Sequence, residues 1–201
     1  MPTPTVHGTA KVTALMRTKT ALVPADADPW CANLFAYQSR KCLLITHAAT
    51  CWSMVALDVR KADLLPFNDF FLHRLRTQLL HEWPTHVQAI ERYLATLSTP
   101  ILSTTNNDKA TLGVMNLYVQ QLKCKLAMVE GPLTDALARN VAWGGNDGLV
   151  SSRALRKGPR EAKYFVPAER MCAVLGIADD RKDYSDRQSR SLWGRKSWRS
   201  M

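Results

Sequence analysis

Several patterns that identify a protein class are missing from this 201-residue chain. No apolar run approaches the ~18–20 residues that a membrane-spanning helix needs, so we expect no membrane partner. The five cysteines are odd in number and form no Cys-x-x-Cys pair, which argues against a disulfide framework and a zinc site. Cys31 or Cys51 could meet His47 across a sheet, but buried free thiols, as in a cytoplasmic protein, are the more common arrangement.

Motifs of familiar enzymes are also missing. No Gly-x-Ser-x-Gly turn occurs, and no Gly-Lys-Ser/Thr follows the glycine-rich stretch 144–148, which we expect to be a flexible connector. His81 and His86 are five residues apart with Pro84 between them, so they do not match a His-Glu-x-x-His zinc motif, and we expect 81–86 to be exposed. The sequence predicts no catalytic residue, metal ligand or cofactor, and it leaves open whether the chain is an enzyme.

Positive charge is present in excess, and the excess is unevenly placed. Lysine and arginine number 27 against 17 aspartate and glutamate residues, a net charge of +10. Residues 1–150 contain 14 basic and 11 acidic residues, whereas residues 151–201 contain 13 and 6. The last quarter of the chain therefore holds most of the excess, which is typical of a basic tail that contacts an acidic partner.

The apolar pattern predicts an α+β fold: a small antiparallel sheet packed by about three helices, with a basic C-terminal extension. Short apolar runs at 30–37, 41–47 and 51–59 are joined by connections of about three residues, as in an antiparallel meander. Helical periodicity follows in three segments, of which 112–129 is the clearest.

The same pattern divides the chain into four parts. We expect 1–9 to be a flexible N-terminus and 10–140 to be the α+β domain. Residues 141–178 are expected to be a linker with a short helical appendage. Residues 179–201 lack apolar periodicity, so we expect them to be a basic disordered tail.

The basic tail is the first candidate binding region. It interleaves basic residues with two tryptophans, so that lysine and arginine could neutralise phosphates while aromatic rings stack on exposed bases. The residues expected to contact nucleic acid or an acidic protein are Arg187, Arg190, Trp193, Arg195, Lys196, Trp198 and Arg199. A solvated terminus without a specific role has the same composition, and that interpretation stays open.

A second, weaker candidate is an anion site at the start of the third predicted helix. Free backbone N–H groups and the helix dipole favour anions there, and polar side chains crowd this helix start. The candidate anion-binding residues are Arg40, Lys41, Thr105, Asn106, Lys109 and Asn116. The alternative is that Asn106, Asn107 or Asp108 only caps the helix, as helix starts require.

Three patterns in order resemble an uncharacterised bacterial domain family of unknown function. They are Trp30-Cys31-Ala32-Asn33-Leu34, Arg40-Lys41-Cys42-Leu43-Leu44-Ile45-Thr46 followed by Thr50, and Leu112-Gly113-Val114-Met115-Asn116. The resemblance covers about residues 10–130. It implies a compact cytoplasmic domain from a bacterium and supplies no known activity.

Together these observations predict a non-enzymatic intracellular binding protein that contacts nucleic acid or an acidic partner through its basic C-terminal region. One alternative is a protein-interaction module of a bacterial defence or toxin–antitoxin pair. Another is an enzyme with an anion site at residues 104–116. The oligomeric state does not follow from the sequence.

Overall fold

Helices cover both faces of one β-sheet in the computed structural model, which describes residues 2–17, 24, 27–104, 108–129, 131–151 and 164–181. The strands are β1 (Thr3–Gly8), β2 (Ala27–Tyr37), β3 (Arg40–His47), β4 (Ser53–Ala56) and β5 (Ile101–Thr104). The helices are α1 (Ala10–Met16), α2 (Phe67–Glu82), α3 (Val87–Ala95), α4 (Lys109–Ala127), α5 (Asp135–Asn146) and α6 (Pro167–Leu175). None of these described helices is long and apolar enough to cross a membrane.

Within the described residues, the five strands lie in the order β4-β3-β2-β1-β5. β2, β3 and β4 form the antiparallel meander that the sequence predicts. Gln38 and Ser39 connect β2 to β3 with positive φ values of 48° and 62°, which match the twist of a tight hairpin. β1 lies between β2 and β5 and runs parallel to both, so the sheet is mixed.

Side-chain alternation on β2 shows how the sheet is covered. Trp30 and Ala32 pack on the face that α1, α2, α3 and α6 cover, whereas Cys31 and Phe35 pack under α4 and α5. Strands that are buried on both faces carry continuous apolar runs, and β3 contains such a run at 42–45.

The α+β class is confirmed, but parts of the predicted organisation need correction. The sheet is not wholly antiparallel, and six helices of the described chain, rather than about three, pack on it. The expected flexible N-terminus, 1–9, instead contains β1, in which Val6 is fully buried. The parallel pairing of Thr5 with Ile101 joins distant parts of the chain, so no local sequence pattern announces it.

The described part of 141–178 belongs to the domain rather than to a linker. Residues 141–146 complete α5, and α6 buries Ala168 and Met171 in the core. Gly144 is a helical residue at which a Cβ would come within 2.7 Å of Lys125 Nζ. Residues 144–146 are therefore the last turn of α5 and not a flexible connector.

The region expected to be a disordered tail contributes to the folded domain at its start. The structure describes residues 179–181, and Arg181 is only 3% exposed. Residues 182–201, which include all seven candidate tail residues, lie outside the described residues.

Candidate functional site

An open groove of about 530 Å³ lies beyond the carboxyl end of β1. Three elements form it: the start of α1, the part of β2 that projects past the end of β1, and one side of α4. Its polar lining side chains are Thr9, Lys11, Asn33, Asn116 and Lys123, and its apolar lining includes Phe35 and Val119. We call this the edge groove.

The groove exists because α1 and α4 follow neighbouring parallel strands and lie on opposite faces of the sheet. α1 follows β1 and buries Val12 on one face, whereas α4 follows β5 and buries Met115 on the other. Such a change of face leaves a crevice at the carboxyl ends of the strands, where ligands of open α/β sheets bind. The edge groove lies at the same end of β1 but toward β2, since residues of β2 line it and no residue of Ile101–Thr104 does.

The turn from β1 into α1 fixes one wall of the groove. A Cβ at Gly8 would lie 3.0 Å from Val12 Cγ1, so glycine lets α1 fold back closely. The Thr9 N–H donates to Ala32 O at 2.9 Å and continues the pairing of β1 with β2. Thr9 Oγ1 then donates to Asn33 Oδ1 at 3.5 Å, a long contact that places the Asn33 amide beside this turn.

The lining of the edge groove is positively charged. Lys11 comes from the α1 wall and Lys123 from the α4 wall, and the described lining residues include no carboxylate. Asn33 and Asn116 add amides that both donate and accept hydrogen bonds. Lys11 and Asn116 are exposed, while Asn33 and Lys123 are half-buried, so all four are accessible. The groove therefore suits an anionic ligand that also has a polar edge for the amides and an apolar face for the apolar lining.

A second polar cluster is enclosed in the core and centres on Glu82, in the last turn of α2. Its Oε1 accepts hydrogen bonds from Gln78 Nε2 at 2.9 Å and from Asn146 Nδ2 at 2.6 Å. Its Oε2 accepts one from Trp52 Nε1 at 3.1 Å and lies 3.6 Å from Arg181 Nη1. Burial raises the pKa of Glu82 to about 7, against four neighbours that each favour the charged form.

Arg181 fastens the end of the described chain to this cluster. Its Nε and Nη2 donate to the two carboxylate oxygens of Asp179 at 2.7 Å each, and Nη2 lies 3.3 Å from Asp147 Oδ1. The guanidinium carbon also lies 5.4 Å from the centre of the Trp83 ring. The expectation that residues 81–86 are exposed is wrong for the middle of this segment, because Trp83 is fully buried next to Arg181.

His47, the histidine that could act as a base for Cys31 or Cys51, has both ring nitrogens in hydrogen bonds at the β3–β4 turn. His47 Nδ1 lies 2.9 Å from Thr50 Oγ1, and its Nε2 lies 2.8 Å from Asp28 Oδ1. Burial raises the pKa of the Cys31 thiol and of the Cys51 thiol to about 12, so neither thiol is poised as a nucleophile. His47 and Thr50 are buried and brace the turn. Among the described residues, no group of three His, Cys, Asp or Glu side chains could hold a metal ion.

The structure separates the described residues proposed for an anion site. Asn116 lines the edge groove, whereas Arg40 forms an ion pair with Asp58 beside the β2–β3 hairpin. Lys41 is exposed on that hairpin, and Lys109 is exposed at the first residue of α4. Thr105 and Asn106 lie outside the described residues.

The start of α4 carries its own negative charge. Asp108 Oδ1 accepts hydrogen bonds from the backbone N–H groups of Ala110 and Thr111 at 3.1 Å each. Its Oδ2 accepts a further bond from Thr111 Oγ1 at 2.6 Å. This is the capping arrangement, and it places a carboxylate where an anion would bind.

Most residues of the edge groove were not predicted from the sequence. Lys11 and Lys123 are distant in the chain, and only the fold brings them to one groove. Two of the segments that carry the family resemblance do converge there, since 30–34 contributes Asn33 and 112–116 contributes Asn116. The asparagine in each of these two segments is the sequence feature that could have indicated the groove.

A family model matches most of the chain. It is described as Domain of unknown function (DUF6933) and matches residues 5–169, a span that contains the whole described lining of the edge groove. A comparison with curated proteins finds no match.

Proposed function

Since the chain belongs to the DUF6933 family of domains of unknown function, we propose its function from its own geometry: it is a non-enzymatic binding protein for nucleic acid. The observation that carries the proposal is the edge groove, in which Lys11 and Lys123 approach from different walls. Phosphate groups are the repeating anions of nucleic acid, and lysine neutralises them with release of counterions.

The basic C-terminal region is the second contact in this proposal. It follows directly after Arg181, whose buried guanidinium fixes where the region leaves the domain. Its basic side chains would neutralise phosphates and Trp193 and Trp198 would stack on bases, as in binders of single strands. The compartment we propose is the bacterial cytoplasm, in keeping with the family resemblance and with five cysteines that are all free thiols.

A binding role without catalysis is supported by the chemistry of the groove. Its described polar lining consists of lysine, asparagine and threonine side chains. These groups hold anions and hydrogen-bond to polar edges, whereas general acid–base catalysis most often uses histidine or a carboxyl group.

The test measures how the affinity of the full chain for a labelled single-stranded DNA depends on salt, by fluorescence anisotropy. One variant replaces five of the six basic side chains that follow Arg181 by glutamine: Arg187, Arg190, Arg195, Lys196 and Arg199. We expect weaker binding and a plot of log affinity against log salt that is shallower by about 0.7 for each phosphate that the variant no longer neutralises.

A second pair of variants tests the groove itself. Lys11→Gln with Lys123→Gln removes two charges from the groove, and Arg60→Gln with Arg92→Gln removes two charges elsewhere on the surface. Only the first pair is expected to flatten the salt dependence. If the C-terminal variant and the groove variant both bind DNA as the unaltered chain does, the proposal is refuted.

An acidic protein is the alternative partner that the same experiment must separate. Capture from a lysate with and without nuclease distinguishes the two, because a nucleic-acid partner is removed by digestion. A protein that remains bound after nuclease and in high salt would replace our proposal with the protein-interaction module, since apolar interfaces are not screened.

A further inference from the structure

We propose that the edge groove accepts a single nucleoside phosphate, with its phosphate toward the lysines and the edge of its base against the two amides. The inference rests on the proposed function, because it names the chemical unit that this groove takes. That unit could be a free mononucleotide or the terminal nucleotide of a strand.

The two amides favour a base over a bare anion. Asn33 and Asn116 come from different elements, β2 and α4, and both line the groove. An asparagine side chain presents a donor and an acceptor in one plane, the pattern that pairs with the polar edge of a nucleobase. Asn33 Oδ1 already accepts from Thr9 Oγ1, so Asn33 offers its Nδ2 donor, whereas the exposed Asn116 amide offers a donor and an acceptor. An oxyanion has only acceptors, so it would leave the acceptor of Asn116 unused.

The apolar floor of the groove favours a planar ligand. Phe35 and Val119 are buried in the core, whereas Leu34, which is half-buried, and Ala36, which is exposed, give the groove accessible apolar surface. A planar heterocycle has an apolar face and a polar edge, so it can cover these side chains while its edge reaches the amides. Inorganic phosphate would leave this surface in contact with water.

The dimensions and the place of the groove agree with such a ligand. Its volume of about 530 Å³ falls within the ~300–1,000 Å³ of small-molecule and cofactor sites. It lies at the carboxyl end of β1, between the helices that follow two neighbouring parallel strands to opposite faces. In open α/β sheets nucleotides bind outside the carboxyl ends of the strands, the side of the sheet on which this groove lies.

The experiment is a calorimetric titration of the full chain with four kinds of probe: each of the mononucleotides, the corresponding nucleosides, inorganic phosphate, and a short single-stranded oligonucleotide. We expect at least one mononucleotide to bind more tightly than its nucleoside and than phosphate alone. Lys123→Ala should weaken the binding of the mononucleotide by about tenfold and that of the nucleoside little, because only the former carries the charge.

Asn116→Ala tests the contact with the base. Asn116 is exposed, so its truncation should leave the fold intact, which thermal unfolding would verify. We expect the preference among the mononucleotides to shrink by about 5- to 150-fold, the discrimination that a bidentate base contact provides. Lys109→Ala is the matched control, an exposed lysine of the same helix outside the groove lining, and should change neither affinity nor preference.

The outcomes separate the two proposals. If phosphate binds as tightly as every mononucleotide, or if no mononucleotide binds at millimolar concentration, the inference is overturned, although strand binding could still hold. If a mononucleotide binds as expected but the oligonucleotide does not, the proposed nucleic-acid function fails and the ligand is a free nucleotide. If the mononucleotide displaces the oligonucleotide, the groove holds a nucleotide of the strand.

Discussion

Replacing the buried carboxyl group of Glu82 by an amide should remove a specific part of the dependence of stability on pH. In the fold the pKa of Glu82 is about 7, because burial disfavours the charged form, whereas its ordinary value is 4.5. Between these pH values the unfolded chain has released the proton and the native protein retains it. The free energy of unfolding must therefore fall as the pH rises from 4.5 to 7, and this contribution is constant outside that range.

The expected size follows from the two pKa values. Their difference, at about 1.4 kcal/mol per pKa unit, corresponds to roughly 3 kcal/mol of unfolding free energy. Glu82→Gln cannot ionise, so its stability relative to the unaltered chain should improve by that amount between pH 4.5 and 7. Gln78, Asn146 and Trp52 all donate hydrogen bonds to Glu82, so the NH₂ group of the introduced glutamine must face one of these donors. The lost hydrogen bond should lower the stability of the variant by about 1–3 kcal/mol at every pH.

Urea unfolding followed by tryptophan fluorescence at several pH values measures this difference, because Trp30, Trp52 and Trp83 are buried in the core. The matched control is Glu91→Gln, since Glu91 lies on α3 with its side chain 44% exposed and is paired with Arg76. Such a surface pair contributes at most about 1 kcal/mol. Parallel stability curves for the unaltered chain and Glu82→Gln from pH 4.5 to 7 would refute the reasoning.

Three further predictions follow from single contacts. Asn146 forms hydrogen bonds with both the backbone N–H and the backbone C=O of Ser53, so Asn146→Ala leaves two buried backbone groups unpaired. Urea unfolding should show that this variant is less stable by about 2–4 kcal/mol. Gly8→Ala should lower stability by about 1–3 kcal/mol in the same assay through overpacking against Val12, and an unchanged midpoint would contradict that tight turn. In the native protein, iodoacetamide should modify Cys124 about tenfold or more faster than the four buried thiols, as mass spectrometry of the peptides would show.

The parts of the fold that could be predicted from the sequence are those determined by neighbours in the chain. The meander follows from short apolar runs and tight turns, and α4 follows from the apolar spacing between Leu112 and Leu126. β1 could not be predicted, because its six residues gain their burial from β2 and from β5, the latter almost a hundred residues away. The same limit applies to α6, whose importance to the core depends on contacts with α3 and on the sheet face it covers.

Candidate sites were harder to predict because polar residues carry no periodic signal. Lys11 and Lys123 have no sequence feature that distinguishes them from other surface lysines, so their meeting in the edge groove depends entirely on topology. Glu82 lies beside His81 in a segment that the sequence predicts to be exposed, yet Glu82 is buried among partners from distant segments, including Asn146 and Arg181. Glu82 and Arg181 are both polar residue types, so a hydrophobic pattern in the sequence does not reveal that either is buried.

The position of β1 between β2 and β5 also has a consequence during synthesis. One side of β1 can pair with β2 once residues 27–32 have left the ribosome, but its other side waits for Ile101–Thr104. At ~5–20 residues per second, the intervening chain takes several seconds to elongate, and for that time the nascent protein presents an unpaired strand edge. Such an edge is a template for misassembly, so the ribosome-bound chain is exposed to aggregation until β5 is available to cover it.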